Sequence, residues 1–334
     1  MGKKYNVAVM GATGAVGTCF LSILAERKFP IKALRLLASE RSAGKKLKFG
    51  GKSYPVDKLT HDSFEGVDIV LASAGASRSL EFLPSAVKAG AVCVDNSSAF
   101  RMDDSVPLVV PEVNPGMIKK HNGIIANPNC STIQMVVALW PIHKAARIRR
   151  IVVTTFQSVS GAGQKKINEL WNQSKIFLSK KKVKPVEFAH QIAFNLIPQI
   201  DVFLDNGYTK EEMKMVHETR KIMGDPSINV NATCIRVPVF FAHSESINIE
   251  TERHISASEV ASLMAGAPGV KLVDDPAKQR YPMPVDAEGK DDTLVGRIRQ
   301  DESIPNGISL WIAADNIRKG AALNAIQIAE ELIK

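Results

Sequence analysis

The sequence predicts an α/β protein: a Rossmann-type doubly wound parallel sheet joined to an α+β domain. Three observations carry that expectation. Short β-branched runs alternate with helix-length amphipathic runs through the first third of the chain, the pattern of strands linked by crossover helices. The first strand-like run leads straight into Gly11-Ala12-Thr13-Gly14-Ala15-Val16-Gly17, a turn suited to opening a nucleotide-binding crossover. Beyond about Ala126 the strands lengthen and no longer alternate one for one with helices, as in a mixed sheet with helices on one face.

Taken in order, residues 6–10 form the first strand and 14–27 the helix that follows it. Residues 34–38, 67–72, 91–95 and 108–110 continue the strands, with a helix over 77–89. Gly123-Ile124-Ile125-Ala126 reads as a short buried strand. After it, Ile133, Val136, Val137 and Trp140 recur at helical spacing on one apolar face. In the second half, strands are expected over 151–158, 231–241, 246–253, 293–299 and 308–313, and a helix over 164–178. The last segment, 320–333, is an amphipathic helix with Ala325, Ile328, Ala329 and Leu332 on one side. It is expected to fold back onto the first domain. That division gives residues 1–128 plus 316–334 as a dinucleotide-binding domain and 129–315 as a second, α+β domain.

The bulk numbers narrow the function classes. At 334 residues, 45% hydrophobic and 23% charged, the chain has the make-up of an ordinary globular protein of about two domains. Cys19, Cys93, Cys130 and Cys234 are scattered without a CxxC pair, which argues against a disulfide scaffold or a zinc site and for a reducing compartment. The strand-like run starts almost at the first residue, leaving no room for a signal peptide, and no apolar run is long enough to span a bilayer. A cytoplasmic enzyme is expected. The formal charge of +9 comes from separate clusters at Lys45–Lys48, Arg147–Arg150 and Lys180–Lys184, and aromatic content is 6%. Neither suits nucleic acid. A modest positive field that draws in an anionic cofactor and substrate is the functional reading.

One cysteine stands apart. In Asn127-Pro128-Asn129-Cys130-Ser131-Thr132 it lies between a strand and a helix, just before good helix-start residues. There the unpaired N–H groups and positive dipole end favour thiolate over thiol. A buried core cysteine is the commoner alternative in general, but polar, turn-rich flanks count against it here. A helix-start thiolate is a competent covalent nucleophile.

The glycine loop places Gly11, Thr13, Gly14, Ala15 and Val16 against a pyrophosphate. Its spacing is GxxGxxG rather than GxGxxG, so the strand–loop–helix context carries the reading. At the end of the second strand an NAD enzyme usually offers a carboxylate to the ribose 2′-hydroxyl. This chain has Ser39-Glu40-Arg41-Ser42. Ser39, Arg41 and Ser42 suit a 2′-phosphate and favour NADP, with the direction of Glu40 unread. Ser73-Ala74-Gly75 supplies a small-residue wall beside the cofactor through Ser73 and Gly75.

With these motifs in this order, from about Val7 to Ala329, the chain resembles the aspartate-semialdehyde dehydrogenase family. The resemblance implies that Cys130 is the acylated nucleophile, with Asn129 before it among the substrate-binding residues. It matches Gln157, in Thr155-Phe156-Gln157-Ser158, to the family glutamine that positions substrate. Arg101 matches the phosphate-binding arginine. A Glu-x-x-Lys pair is matched to Glu218 and Lys221, the glutamate meeting the substrate amino group and the lysine the phosphate. Arg236 would hold the α-carboxylate, His243 would be the acid/base, and Asn316 would join the cofactor site. On composition alone Glu218 and Lys221 read as a surface ion pair, and His243 as a surface or cap residue.

The chemistry so implied is NADPH-dependent reduction of L-aspartyl 4-phosphate to the semialdehyde through a cysteine thioester, by a homodimer. The resemblance assigns catalysis and dimerisation to the second domain, residues 129–315. Two alternatives stand beside it. N-acetyl-γ-glutamyl-phosphate reductase shares the chemistry, but its motif typically has glycine where Asn129 stands. A non-catalytic nucleotide-binding regulator on the same scaffold should have lost one or more of Cys130, Gln157, Arg236 and His243.

Overall fold

In the computed structural model, which describes residues 3–334, the chain forms two units. One comprises the chain up to Asn129 together with Ala321–Lys334, and the other is Cys130–Gly320.

In the first unit, β1 (Tyr5–Met10) enters α1 (Ala15–Glu26), and β2 is Ile31–Ala38. A hairpin of β3 (Lys46–Phe49) and β4 (Lys52–Lys58) follows, then β5 (Ile69–Ala72), α2 (Ala76–Lys88), β6 (Val92–Asp95) and β7 (Ile124–Ala126). The seven strands lie in the order β3-β4-β2-β1-β5-β6-β7. All neighbours are parallel except the β3–β4 hairpin. Alternate residues of β1 serve opposite faces. Val7 and Val9 join Phe20 and Leu24 of α1 and Leu323, Ile326 and Ile328 of the C-terminal helix Leu323–Leu332. Ala8 and Met10 join Phe82, Leu83 and Ala86 of α2. A sheet buried on both faces needs apolar residues at every position of its central strands, and β1 supplies them.

Two expectations change here. Residues 108–110 form no strand; Leu108 makes only an isolated parallel bridge to Ala126. The β3–β4 hairpin, which no expectation above includes, takes up most of the basic cluster Lys45–Lys48. Gly50 and Gly51, at φ +53 and +78, make its two-residue turn, the geometry that joins twisted antiparallel strands. Lys46 and Lys48 therefore decorate an edge strand, where charge discourages pairing with another chain.

The second unit opens with α3 (Cys130–Ala146), then β8 (Ile148–Gln157), α4 (Gln164–Leu178), α5 (Lys210–Met223), β9 (Asn229–Arg236), β10 (His243–Thr251), α6 (Ala257–Ala265), β11 (Val270–Leu272), β12 (Thr293–Asp301) and β13 (Gly307–Ala314). Its six strands run β11-β12-β13-β10-β8-β9. The β8–β9 and β11–β12 pairs are parallel and the rest antiparallel. Helix α3 packs on β8, β10, β12 and β13, flanked by α5 and α6, so the helices that cover the sheet gather on one face.

β9 stops at Arg236, not at 241, because Pro238 has no N–H for a ladder. The Val239 and Phe240 carbonyls instead accept from Val159 and Ser160. The stretch after α4 is held by two side chains of that helix. Glu169 accepts from the backbone N–H groups of Val186, Glu187 and Phe188, and Gln173 from those of Ile192 and Ala193. The second crossover between units falls after Gly320, not at residue 316. Residues 315–320 belong with the second unit: Asn316 bonds Ser158 and Arg318 bonds Asp291.

Candidate active site

The glycine loop of the first unit has the shape its sequence promised. Gly11 sits at φ +84, and a Cβ there would lie 2.4 Å from the Ser73 carbonyl oxygen. A Cβ on Gly17 would lie 2.2 Å from the Gly11 carbonyl oxygen. The chain is pressed this close only because neither residue has a side chain. Gly14 occupies the N-cap of α1 and cannot cap it, so the first-turn N–H groups of Ala15 and Val16 face a prospective anion. The loop thus fits a dinucleotide pyrophosphate. At the end of β2, Glu40 pairs with Lys58 at 3.1 Å. That pairing draws its carboxylate toward a lysine, while Ser39 and Arg41 stay exposed and Ser42 is buried.

Beyond β6, Asp95 organises a tight turn. Its carboxylate accepts from Ser79 Oγ at 2.8 Å, Ser97 N at 3.0 Å and Ser97 Oγ at 2.7 Å. Arg101 follows, buried, with Nε donating to the Asn127 carbonyl and Nη2 to the Asn96 carbonyl, each at 2.9 Å.

The second unit assembles its polar side chains at one end of its sheet. Cys130 is the first residue of α3, which places its thiol at the positive end of a 17-residue helix dipole. Gly320 presses against it: a Cβ there would lie 2.8 Å from Cys130 Cβ. Cys93 and Cys234 are buried, and burial pushes both thiols far up.

Gln157 ends β8 and Arg236 ends β9 directly beside it in parallel register. His243 begins β10, on the antiparallel neighbour of β8, and is fully buried. It is therefore neither a surface nor a cap residue. The Ser158 backbone N–H donates to His243 Nδ1 at 3.0 Å. An imidazole nitrogen that accepts from a backbone N–H carries no proton, so the ring proton sits on Nε2. Nε2 is buried without a hydrogen-bond partner and lies against Gly161, where a Cβ would come within 3.1 Å of it. Burial first, and then the Arg236 charge, hold the His243 pKa well below the usual imidazole value.

Asn316 locks this corner. Its Oδ1 accepts from Ser158 Oγ, Ser160 Oγ and the Ala242 backbone N–H at 3.0–3.2 Å. The last bond holds Ala242 at φ +66, a strained conformation for alanine, just before His243. Asn316 Nδ2 is buried and has no partner, a donor left for a ligand acceptor.

Arg236 donates from Nη1 to the Ser158 carbonyl at 2.6 Å. Burial lowers its pKa, opposed by the Glu211 carboxylate and by Cys130, which places the guanidinium within electrostatic reach of the thiol.

The glutamate that meets this cluster is not the expected one. Gln157 Nε2 approaches Glu211 Oε1 at 3.4 Å, and Glu211 Oε2 pairs with Lys214 Nζ at 2.9 Å. Burial disfavours the Lys214 charge, yet Glu211 and Asp201 together lift its pKa above the usual lysine value. Glu211-x-x-Lys214 thus has the spacing assigned to Glu218 and Lys221, two turns earlier on the same helix. The first turn of α5 is pinned beside the end of β9. Thr209 caps it, and Glu212 accepts from the Cys234 N–H at 3.0 Å. Glu218 lies about 10 Å further along the axis. At that far end of α5 the Arg220 side chain reaches the Ile228 carbonyl, at the start of β9. Glu218 and Lys221 lie two turns beyond the first turn of α5 that carries Glu211 and Lys214. Both pairs share one helical face, so spacing alone could not choose between them; the capping signal Thr209-x-x-Glu212 could have.

A dinucleotide-binding unit followed by a unit that gathers a helix-start cysteine, a buried histidine, an arginine and a glutamine defines an NAD(P)-dependent dehydrogenase of semialdehydes. Residues 6–121 match the family described as semialdehyde dehydrogenase, NAD binding domain, and residues 139–319 match semialdehyde dehydrogenase, dimerisation domain. The chain is 58% identical to an aspartate-semialdehyde dehydrogenase of Aquifex aeolicus, over 99% of this chain and 98% of that one. It superposes with a TM-score of 0.96 on aspartate semialdehyde dehydrogenase II of Vibrio cholerae in complex with ASA, at 53% identity over 99% of this chain and 98% of that one. A Candida albicans aspartate semialdehyde dehydrogenase solved with NADP matches at a TM-score of 0.77 and 26% identity over 99% and 98% of the two chains. The chain belongs to the aspartate-semialdehyde dehydrogenase family, oxidoreductases of amino-acid biosynthesis.

Proposed function

We propose that the protein converts L-aspartyl 4-phosphate to L-aspartate 4-semialdehyde and phosphate, with NADPH as reductant and Cys130 as the acylated residue. The observation that carries this reading is the cluster at one end of the second sheet, where Cys130, Gln157, Arg236, His243 and Glu211 gather.

The helix dipole of α3 and the Arg236 charge favour the Cys130 thiolate. The thiolate attacks the acyl carbon, the carbon–oxygen bond to phosphate breaks, and a thioester remains. Arg101 and Lys214 hold the departing phosphate. Arg236 takes the substrate α-carboxylate, Glu211 the amino group, and Asn129 and Gln157 orient the acyl group. NADPH, when bound, supplies the hydride that reduces the thioester. The resulting alkoxide expels the thiolate as it collapses to the aldehyde, a step that needs no proton; the one proton the overall reduction consumes goes to the departing phosphate. His243 then serves best as a neutral donor, its Nε2–H bonding the oxygen as negative charge develops there. A ring held this way gives up its proton poorly, which refines the acid/base role expected from sequence.

The choice of NADP over NAD rests on Ser39, Arg41 and Ser42 and on the engagement of Glu40 by Lys58. Gly11, Thr13, Gly14, Ala15 and Val16 would hold the pyrophosphate and Ser73 and Gly75 would flank it; Asn316, whose Nδ2 is a buried donor without a partner, is the remaining cofactor-site candidate. A homodimer in the cytoplasm is the proposed working form; the dimerisation-domain match supports the first part. Among the described residues no helix is long and apolar enough to cross a membrane.

The test is formation of NADPH from L-aspartate 4-semialdehyde, with and without phosphate, with NAD in parallel. Turnover should require phosphate, prefer NADP by about tenfold or more, and vanish in Cys130→Ala. Folded, NADP-binding protein without turnover would sink the substrate assignment.

A further inference from the structure

Beneath the reacting end of the second sheet lies a buried carboxyl group that the chemistry above does not use. Glu245 is two residues past His243 on β10, so both side chains face the same way. Gln134 is one helical turn past Cys130 on α3. Both are fully buried. Gln134 Nε2 donates to Glu245 Oε1 at 2.7 Å. The pair therefore ties the helix that begins at Cys130 to the strand that begins at His243.

The two remaining atoms of the pair fix its protonation. Gln134 Oε1 and Glu245 Oε2 are both buried and both lack a hydrogen-bond partner. An ionised carboxylate only accepts, and so does an amide oxygen. With Glu245 ionised, neither orphan could satisfy the other, and each would carry the cost of an unpaired buried acceptor. One proton on Glu245 Oε2 would turn it into a donor, the kind of partner that Gln134 Oε1 lacks. Nothing around Glu245 calls for a negative charge there. Its cross-strand neighbours are Thr155 on β8 and Ile312 on β13. The ionisable groups near it are His243 on its own strand, Cys130 a turn before Gln134, and Cys234 on β9, whose thiol Glu245 helps to push up. Among the described residues, the only side-chain partner it has is Gln134.

We propose that Glu245 is a positioning residue held as the neutral acid, clamping Gln134 so that Cys130 and His243 keep their spacing without a second negative charge below the thiolate. The inference rests on the reading of Cys130 and His243 as the reacting pair. Burial, which drives the Glu245 pKa well above the usual carboxyl value, agrees with it.

Glu245→Gln imitates the neutral acid; Glu245→Met keeps the volume and removes the bond to Gln134. Alkylation of Cys130 by iodoacetamide, followed against pH with Cys130→Ser subtracted, reads the charge without any substrate. The pH midpoint of alkylation should be unchanged in Glu245→Gln. In the phosphate-dependent assay Glu245→Met should lose about tenfold or more in kcat with little change in KM, and Glu245→Gln should recover most of it. A midpoint that falls by a full pH unit in Glu245→Gln would show a negative charge in the wild type and overturn the neutral acid. Equal loss of kcat in both variants would overturn the clamp. Absence of turnover with aspartate semialdehyde in the wild type would count against the proposed substrate and leave the alkylation reading intact.

Discussion

The residues around Cys130 and His243 owe their behaviour to what is packed against them. His243 is buried neutral, its Nδ1 bonded by a backbone N–H and its pKa depressed by burial and Arg236. In the unfolded chain the same imidazole titrates near pH 6.5. Folding therefore releases a proton at acid pH. The stability this residue contributes is present above about pH 6.5 and is lost as pH falls from there toward the depressed folded value. Below that point the melting midpoint of the wild type should fall faster with pH than that of His243→Asn; a constant gap would contradict the buried neutral ring. Gly320 makes a second residue-level prediction. Its missing Cβ leaves room for Cys130 at a point where a methyl group would stand 2.8 Å from the cysteine Cβ. Gly320→Ala should cut kcat by about a hundredfold through displacement of the thiol, with cofactor binding by fluorescence unchanged. Cys130 was legible in the sequence because helix-start chemistry is local. The roles of Gly161 and Gly320 were not, since each depends on a neighbour distant in the chain.

At the scale of elements, the sequence was most readable where periodicity and caps agreed. Helix α4 spans residues 164–178, as its pattern predicts, and β1 leads into its glycine turn. Strand ends were least readable, because a carbonyl or proline outside the ladder decides them, as Pro238 does after β9. The register of α5 on β9 is the most consequential case. Spacing alone cannot distinguish Glu211/Lys214 from Glu218/Lys221, whereas the Thr209 capping box, a local signal, and the Glu212–Cys234 bond, a distant one, do so. Lys214→Ala should therefore raise the KM for phosphate by about tenfold or more, a loss of the size expected for one charge-assisted contact. Lys221→Ala should leave that KM within about twofold. The reverse pattern in steady-state kinetics would restore the pair first expected from sequence.

For the molecule as a whole, alternation of strands and helices exposed the first unit, and longer β-branched runs exposed the second. The return of the C-terminal helix to the first unit was visible in its single apolar stripe: Ala325, Ile328 and Ala329 are buried in that unit's core. The basic clusters read differently in three dimensions. One became an edge strand, so the charge of +9 reflects surface and edge protection as well as attraction of anions. The units together support one central claim, that an aspartyl group passes through a thioester on Cys130. The most direct measurement is intact and peptide mass spectrometry after acid quench, on protein mixed with L-aspartate 4-semialdehyde and NADP in the absence of phosphate. An aspartyl adduct on the Cys130 peptide, discharged on adding phosphate and absent from Cys130→Ser, is the predicted result. Phosphate-dependent turnover with no adduct on Cys130, or with the adduct on another residue, would contradict the account.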